Sequence, residues 1–244
     1  GVHAGGVGRA VRAGERVLQP VASPSLAGLM QGSGPPPKGW AATLYSLWVQ
    51  AYNTNSVKKS ELPRSYADLL DPRWKGRLGY EVENIDWFVT VVLSMGEAKG
   101  LQFFKDLTAA NGLSVRKGHT NLNNMVASGE VPMALTMYNY MPEQLKKKGA
   151  PIDSIVLQPA VARANAVGVM RNAQHPAAAA LFMDYLLGEA QQVFAELDYL
   201  PSNTRISSSW RDNRILIVDP VESLDRREKW RRLYEDIIIR RARS

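Results

Sequence analysis

The segment Arg116–Tyr140, RKGHTNLNNMVASGEVPMALTMYNY, does most to narrow what this chain can fold into. Its pattern predicts a polar loop, a short helix, a turn and a buried strand. Thr120 is the predicted N-cap of the helix, since its hydroxyl can accept a backbone N–H of the first turn. Gly129 is the predicted left-handed C-cap. The apolar segment Val131–Met137 then has the length of a strand.

The same segment outlines a binding site. His119 and Thr120 stand at the start of the predicted helix, and Tyr138, Asn139 and Tyr140 stand at the carboxyl end of the predicted strand. N–H groups at a helix N-terminus attract negative or polar groups, while phenols and an amide offer hydrogen bonds. The residue types predict ligand binding and do not form a catalytic constellation.

The length and composition of the chain are those of a globular protein. It has 244 residues, 45% apolar and 22% charged, which predicts one or two domains with a large core. It has no Cys, which excludes disulfides and thiolate metal sites and fits an oxidising compartment as well as the cytosol. The first residues lack the apolar region of an intact signal peptide, and a processed signal would leave no trace.

The formal charge of +7 is partly an effect of the C-terminus, which is rich in arginine. One interpretation is a nucleic-acid or anionic-membrane surface, and the other is the solvated face of an amphipathic helix. The second is favoured because an equally strong apolar stripe runs along the same segment. That stripe consists of Trp230, Leu233, Tyr234, Ile237 and Ile238. No nucleic-acid partner is therefore predicted.

Enzyme motifs are missing from the sequence. It contains no P-loop, no HExxH and no G-x-S-x-G, and it has no Cys for nucleophilic catalysis. We therefore predict neither an enzyme nor a cofactor. Of the three His, His119 stands apart because of its place at the helix entrance. A ligand contact and a structural role in the loop are both open for this residue.

Three stretches, in the order that a known family has them, carry a resemblance to that family. The second, Ser128–Thr136, reads SGEVPMALT, and the third, His175–Gln192, reads HPAAAALFMDYLLGEAQQ. The first lies between residues 52 and 76 and contains Tyr52-Asn53-Thr54, Leu62-Pro63, Ser65, Ala67-Asp68-Leu69-Leu70-Asp71-Pro72 and Trp74-Lys75-Gly76. Together they resemble the extracellular solute-binding proteins of ABC importers, in the branch for ferric iron, polyamines, thiamine or phosphonates. The resemblance covers roughly residues 40–205.

The resemblance implies an α/β fold of the type II periplasmic-binding-protein kind, with two lobes and a ligand cleft between them. It assigns residues 1–46 and 166–203 to the first lobe, and residues 47–165 and 204–244 to the second. Val11–Leu29 already resembles a segment that follows the family's opening βα units, each of roughly 30 residues. We therefore expect an incomplete first lobe. Pro159–Ala164 is predicted to be a loop before the strand Val167–Met170.

The resemblance also implies the ligand-binding residues. Asn165 is a further amide donor, and Trp87 is more simply explained as core than as a stacking partner. The carboxylates of Glu81, Glu83 and Asp86, just before Trp87, could bind a cation, contact an amine or simply be solvated. The full expected set is Glu81, Asp86, Trp87, His119, Thr120, Asn121, Tyr138, Asn139, Tyr140 and Asn165.

Tyr138-Asn139-Tyr140 bears on the identity of the ligand. Ferric-binding members of the family carry two adjacent tyrosines here, because Fe³⁺ favours anionic oxygen ligands. Here Asn139 occupies one of those two positions, which argues against tight binding of bare iron and favours hydrogen bonds to an organic ligand. Tyr138 and Tyr140 would face the same side if the strand continued through both.

The expected function is that of the periplasmic substrate-binding component of an ABC importer, which closes by a hinge on a small polar or charged solute. Its partners would be that solute and a membrane permease, and the protein would be an exported monomer. One alternative is a ferric-ion-binding protein that uses Tyr138, Tyr140 and His119 with a synergistic anion; otherwise no metal is expected. The other alternative is a truncated, non-binding remnant that dimerises through an exposed sheet edge.

Overall fold

The computed structural model describes residues 17–30 and 39–241. Residues 1–16, 31–38 and 242–244, which include parts of the predicted lobes and of Val11–Leu29, lie outside the described residues. The strands are β1 (Leu18–Gln19), β2 (Trp40–Asn53), β3 (Leu78–Glu81), β4 (Ser114–Arg116), β5 (Met133–Tyr138), β6 (Ile152–Ile155), β7 (Ala160–Met170), β8 (Leu200–Pro201) and β9 (Ile215–Ile217). The α-helices are α1 (Ile85–Ser94), α2 (Glu97–Ala110), α3 (His119–Ser128), α4 (Tyr140–Lys147), α5 (Pro176–Leu187), α6 (Ala190–Glu196), α7 (Pro220–Asp225) and α8 (Arg227–Tyr234), which a π-helical turn (Glu235–Ile239) extends.

The described chain forms two compact units. Unit 1 contains residues 17–30 and 39–46, Arg163–Asp212 and Asp219–Asp225. Unit 2 contains Leu47–Ala162, Asn213–Val218 and residues 226–241. Residues 163–165, 204–212 and 219–225 thus fall in unit 1, whereas the sequence assigned them to the second lobe. The boundaries of the lobes stay a prediction.

Unit 1 combines short strand pairs with the helices α5, α6 and α7. β1 pairs antiparallel with β7, and β8 pairs antiparallel with the first half of β2. Its small apolar core contains Ala41, Val169, Met183 and Leu187. The Gln191 amide of α6 donates to the Thr43 carbonyl of β2 at 2.7 Å and so ties the helix to the strand. Helix α5 is apolar nearly all round, yet only Met183 and Leu187 of it are buried.

Unit 2 contains the sheet that carries the predicted site. β3 lies between β4 and β5 and is parallel to both, and β5 pairs antiparallel with the second half of β2. β6 is antiparallel to β2, and β9 is parallel to the start of β7. Because β3, β4 and β5 are parallel, their carboxyl ends meet at one edge, which is where α/β sheets present ligand groups.

An aromatic core fills unit 2. Its largest fully buried side chains include Trp48, Trp74, Trp87 and Trp230. The predicted apolar stripe of the C-terminal segment is confirmed, since Trp230, Tyr234, Ile237 and Ile238 are buried and Leu233 packs against them. The interpretation of Trp87 as a core residue is also confirmed, because its ring is 1% exposed and packs edge-on against Tyr80 and Phe104.

One prediction around the central segment is wrong, and the condition attached to another is not met. Helix α3 begins at His119, and its N-cap is Gly118, with φ 89°, instead of Thr120. The Glu81 carboxylate accepts the N–H of Gly118 itself, and so it holds the residue before the helix from a distant part of the chain. β5 ends at Tyr138 and α4 begins at Tyr140, so the strand does not continue through the second tyrosine. The predicted left-handed cap at Gly129 is confirmed, with φ 85°.

The prediction of a loop over Pro159–Ala164 is also wrong, because β7 already begins at Ala160. Residues Ala160–Ala162 are held in register by β9, where they lie opposite Ile215–Ile217. That partner lies more than fifty residues further along the chain, so local sequence signals do not reveal it. None of the helices in the described part of the chain is long and apolar enough to cross a bilayer.

Candidate functional site

Five segments of unit 2 meet at the carboxyl edge of its sheet. They are the end of β3 with the loop to α1, the N-terminus of α3, the end of β5, the start of α4 and the middle of β2. Each segment contributes polar or aromatic side chains that contact those of another. In the same order, these are Glu81 and Asn84, then His119, then Tyr138, then Tyr140, and last Trp48. The sequence predicted four of these residues, and it missed Asn84 and Trp48.

Three rings stack in a row at this edge. The rings of His119 and Tyr138 are 4.4 Å apart and inclined by 20°, and those of Tyr138 and Tyr140 are 6.1 Å apart and inclined by 11°. The ring of Trp48 packs against that of Tyr138, with the two ring centroids 5.5 Å apart. Tyr138 is buried, whereas His119 and Tyr140 are partly exposed. The two outer rings are therefore the members of this ring row that a ligand can reach.

Glu81 lies beneath the site and is only 1% exposed. Its Oε1 accepts the Gly118 N–H at 3.0 Å, and its Oε2 accepts the Glu83 N–H and the Asn84 amide at 2.8 Å each. Its own N–H donates to the Thr136 hydroxyl at 3.0 Å. Both carboxylate oxygens are thus used inside the protein, where they hold the β3–α1 loop against the start of α3.

Two buried phenols hold the same loop from the other side. The Tyr80 hydroxyl donates to the Asn84 carbonyl at 3.0 Å, and the Tyr234 hydroxyl donates to the Val82 carbonyl at 2.8 Å. Burial raises the pKa of both Tyr80 and Tyr234 above the ordinary value of a phenol. Both hydroxyls therefore stay protonated, and remain donors, well into the alkaline range.

Asn139 is fully buried and bonds to the backbone of β2. Its Oδ1 accepts the Leu47 N–H at 3.2 Å, and its own N–H donates to the Leu47 carbonyl at 2.9 Å. This pair of hydrogen bonds continues the β2–β5 pairing for one residue beyond Tyr138. It leaves Tyr138 and Tyr140 on either side of an anchored residue, and their rings lie parallel although the strand has ended.

The other predicted residues are spread more widely. Thr120 and Asn121 are exposed in the first turn of α3, and Asp86 is half-buried in the first turn of α1. Trp87 belongs to the core, as described above. Asn165 lies in unit 1, where its amide donates to the Ser46 hydroxyl at 3.0 Å and its carbonyl accepts from Thr43.

Several groups here have the chemistry of metal ligands. The phenols of Tyr138 and Tyr140 and the imidazole of His119 offer oxygen and nitrogen donors close together. The carboxylate nearest to them, that of Glu81, has both oxygens engaged by N–H donors. Across residues 17–30 and 39–241, no three His, Asp or Glu side chains cluster in a way that could hold a metal ion.

Comparison with known proteins identifies the family. The model of the bacterial extracellular solute-binding protein family matches residues 11–225. Iron uptake protein A1 of Synechocystis is 26% identical over 158 residues, which cover 59% of this chain and 44% of that protein. The major ferric iron-binding protein of Neisseria gonorrhoeae is 29% identical over 115 residues, which cover 46% of this chain and 34% of that protein. The chain therefore spans less than half the length of these curated relatives.

Solved structures share the fold at low sequence identity. Iron-bound HitA from Pseudomonas aeruginosa superposes with a TM-score of 0.75 at 20% identity, covering 93% of this chain and 79% of HitA. AfuA from Actinobacillus pleuropneumoniae, with fructose-6-phosphate bound, gives 0.74 at 19% identity, covering 96% and 80%. Trichodesmium IdiA (FutA), with iron and citrate ligands, gives 0.72 at 22% identity, covering 95% and 80%.

These likenesses confirm the predicted α/β fold of the type II periplasmic-binding-protein kind. The expected incompleteness of the first lobe stays a prediction. The family model extends over most of the chain and includes all the residues of the candidate site. The chain therefore belongs to the family of bacterial extracellular solute-binding proteins.

Proposed function

We propose that this protein is the substrate-binding component of an ABC importer and that it binds a small polar or charged solute at the sheet edge of unit 2. The observation that carries the proposal is the stacked row of His119, Tyr138 and Tyr140 at the start of α3, within a chain of this family. The protein would act outside the cytoplasm, as family members do, and deliver its ligand to a membrane permease.

The exposure and contacts of each side chain separate the residues that would touch the ligand from those that would hold them in place. His119 and Tyr140 are partly exposed and would contact the ligand, with Thr120 and Asn121 beside them on α3. Asp86, half-buried at the start of α1, is the carboxylate that we propose for a positive group of the ligand. The remaining predicted residues of unit 2, Glu81, Trp87, Tyr138 and Asn139, would support the site, whereas Asn165 of unit 1 stays a predicted ligand residue of its own unit.

Calorimetry on the purified chain tests this proposal. The probes are ferric citrate, citrate alone and fructose 6-phosphate, which the solved relatives suggest, followed by a panel of amines and amino acids. We expect one probe to bind, and we expect Tyr140→Phe or His119→Ala to weaken it at least about tenfold, the cost of losing one good polar contact. Tyr185→Phe, an exposed tyrosine of unit 1, is the matched control and should change nothing.

Two results would overturn the proposal. If no probe binds, the chain is not a functional receptor by this test. If a probe binds equally well to the wild type and to both site variants, the protein is a receptor whose site lies elsewhere. In either case the assignment of His119 and Tyr140 as ligand contacts fails.

Ferric iron is the second candidate ligand, and a specific observation favours it. Tyr138 and Tyr140 bring two phenols to one place beside the imidazole of His119, although Asn139 separates them in sequence. Phenolate oxygens suit Fe³⁺, and the curated relatives are named for iron. Addition of ferric citrate should then produce a visible phenolate-to-iron absorption band that Tyr138→Phe and Tyr140→Phe each abolish. A colourless protein at saturating ferric citrate would argue against iron.

A further inference from the structure

Asn84 lies at the centre of a buried set of polar groups behind the site. It is 2% exposed, and its side chain contacts Trp48 of β2, Glu81 of β3 and His119 of α3. The Trp48 Nε1–H donates to Asn84 Oδ1 at 2.7 Å. Asn84 Nδ2 donates to the Glu81 carbonyl at 3.1 Å and to Glu81 Oε2 at 2.8 Å. One amide thereby joins three segments of unit 2.

These partners fix which way the Asn84 amide points. The indole nitrogen of Trp48 is a donor only, so it must face the amide oxygen. The backbone carbonyl and the carboxylate of Glu81 are acceptors, so they must face the amide nitrogen. The orientation of Asn84 therefore follows from chemistry on both sides, and the reversed amide would place donor against donor at Trp48 and acceptor against acceptor at Glu81.

The orientation of the Asn84 amide also bears on which nitrogen of His119 carries the proton. Its Nε2 lies 3.1 Å from Asn84 Nδ2 and 3.2 Å from Asn84 Oδ1. Glu81 offers one acceptor for each of the two Nδ2 hydrogens, so an unprotonated Nε2 would compete with Glu81 for any hydrogen from Asn84. Oδ1 has two lone pairs, and Trp48 uses one of them. A protonated Nε2 can donate its one hydrogen to the other, and the Glu81 carboxylate, with Oε2 3.8 Å from Nε2, favours a hydrogen there electrostatically.

We propose that Asn84 is a positioning residue of the site, which keeps a proton on Nε2 of His119 and holds the imidazole against the ring of Tyr138. The assignment of the proton stands on these contacts alone, whereas its meaning for ligand binding rests on the proposed function. A metal ion or a donor group that binds Nε2 must first displace this proton, whereas an acceptor atom of a ligand can take the proton's hydrogen bond from Asn84.

Nuclear magnetic resonance of the uniformly ¹⁵N-labelled, full chain tests the assignment directly. Long-range ¹H–¹⁵N correlation spectra are recorded above about pH 7.5, where an ordinary imidazole is neutral. Loss of one set of signals in His119→Gln identifies His119 among the three His. We expect its Nε2 to resonate in the protonated, pyrrole-like region and its Nδ1 in the unprotonated, pyridine-like region. The reverse pattern would overturn the proposal.

Two substitutions then ask whether Asn84 is responsible. Asn84→Asp keeps an oxygen that can accept from Trp48 and His119, and its second oxygen can share a proton with Glu81, so the Nε2 proton should remain. Asn84→Ala removes the amide oxygen that accepts this proton, so the two nitrogen signals of His119 should move towards each other as the proton redistributes between Nε2 and Nδ1. Asn124→Ala, at an exposed position of α3, is the control and should give the wild-type spectrum.

Either variant can contradict the proposal. An unchanged His119 pattern in folded Asn84→Ala would show that Asn84 does not set the tautomer. Should Asn84→Ala fail to fold, the wild type and Asn84→Asp decide, and a His119 ring with its proton on Nδ1 and none on Nε2 in either one overturns the assignment. All these spectra are recorded without added ligand, so their failure is distinguishable from a failure of the proposed receptor function, which calorimetry measures.

Discussion

At the scale of single residues, the side chains that matter most are those whose partners lie far away in sequence. Glu81 binds the N–H of Gly118, and Asn139 binds the N–H of Leu47. Sequence reasoning could find both residues, because a carboxylate cluster and a strand end are local signals. It could not find their partners, so it counted them among the ligand groups. That assignment stays a prediction, while the observed contacts give both residues a supporting role.

Substitution of Glu81 by Ala should destabilise the protein strongly. The change leaves three N–H donors, those of Gly118, Glu83 and the Asn84 amide, without their acceptor. Unsatisfied buried donors cost about 1–3 kcal/mol each, and partial rearrangement leaves an expected loss of about 3 kcal/mol. Urea denaturation measures the free energy of unfolding. Glu83→Ala, at an exposed position two residues away, should stay within about 0.5 kcal/mol of the wild type.

A loss below about 1 kcal/mol in Glu81→Ala would contradict this account of the β3–α1 loop, because it would mean that water replaces the carboxylate at little cost.

At the scale of elements, the sequence predicted the helix and the strand of the central segment, and tertiary contacts decided their ends. Gly118 is the N-cap of α3, with a positive φ, and the Glu81 carboxylate holds its N–H, a contact that no local pattern reveals. β7 begins seven residues before Val167 because β9 pairs with it. Asn84 and Trp48 carried weak signals: an Asn before a helix and a Trp within an aromatic strand.

Helices α1 and α2 touch at a glycine. A Cβ placed on Gly100 would lie 2.4 Å from the Val92 carbonyl oxygen and 2.5 Å from its Cα. Gly100→Ala should therefore force the two helices apart at a cost of about 2 kcal/mol or more, even after a gain of about 1 kcal/mol in helix propensity. Thermal and urea unfolding measure the change. Lys99→Ala, exposed on the same helix, is the control; equal stabilities of the two variants would contradict the close contact.

Helix α5 offers a matched pair of neighbouring apolar residues. Phe182 is 58% exposed and Met183 is 2% exposed. Met183→Ala should lose about 2–5 kcal/mol because it leaves a cavity in the core of unit 1. Phe182→Ser should lose less than about 1 kcal/mol and should reduce self-association by removing exposed apolar surface. Urea unfolding and light scattering measure the two effects. Similar losses in both variants would contradict the observed burial.

At the scale of the whole molecule, unit 2 has an aromatic core that brings ionisable phenols inside. Burial raises the pKa of Tyr66, Tyr80 and Tyr234, so each stays protonated in the folded state at a pH where the unfolded chain has lost the proton. The folded state then binds more protons than the unfolded state above about pH 10, and stability falls as the pH rises. Below that pH these phenols do not make the free energy of unfolding depend on pH.

We therefore expect steep alkaline unfolding. Each of the three phenols adds at most about 1.4 kcal/mol of lost stability per pH unit above about pH 10. Melting temperatures and tyrosinate absorbance, followed together through the alkaline range, should show these tyrosines ionising only as the protein unfolds. Tyr66→Phe removes one of the three and should reduce the slope by about a third. An unchanged slope, or tyrosinate absorbance that rises fully before unfolding, would contradict this expectation.

The hydrogen-bonded pair between Asn139 and Leu47 limits how the proposed binding site can be redesigned for a chosen ligand. In a library that varies residues 138–140, position 140 is the adjustable one, because the Tyr140 side chain is partly exposed, whereas Tyr138 is buried against Trp48. The middle position must keep an oxygen that accepts the Leu47 N–H, so Asp is the natural replacement. A designer who wants adjacent tyrosines for iron must therefore place the new phenol on the far side of Tyr140 or rebuild β2 first.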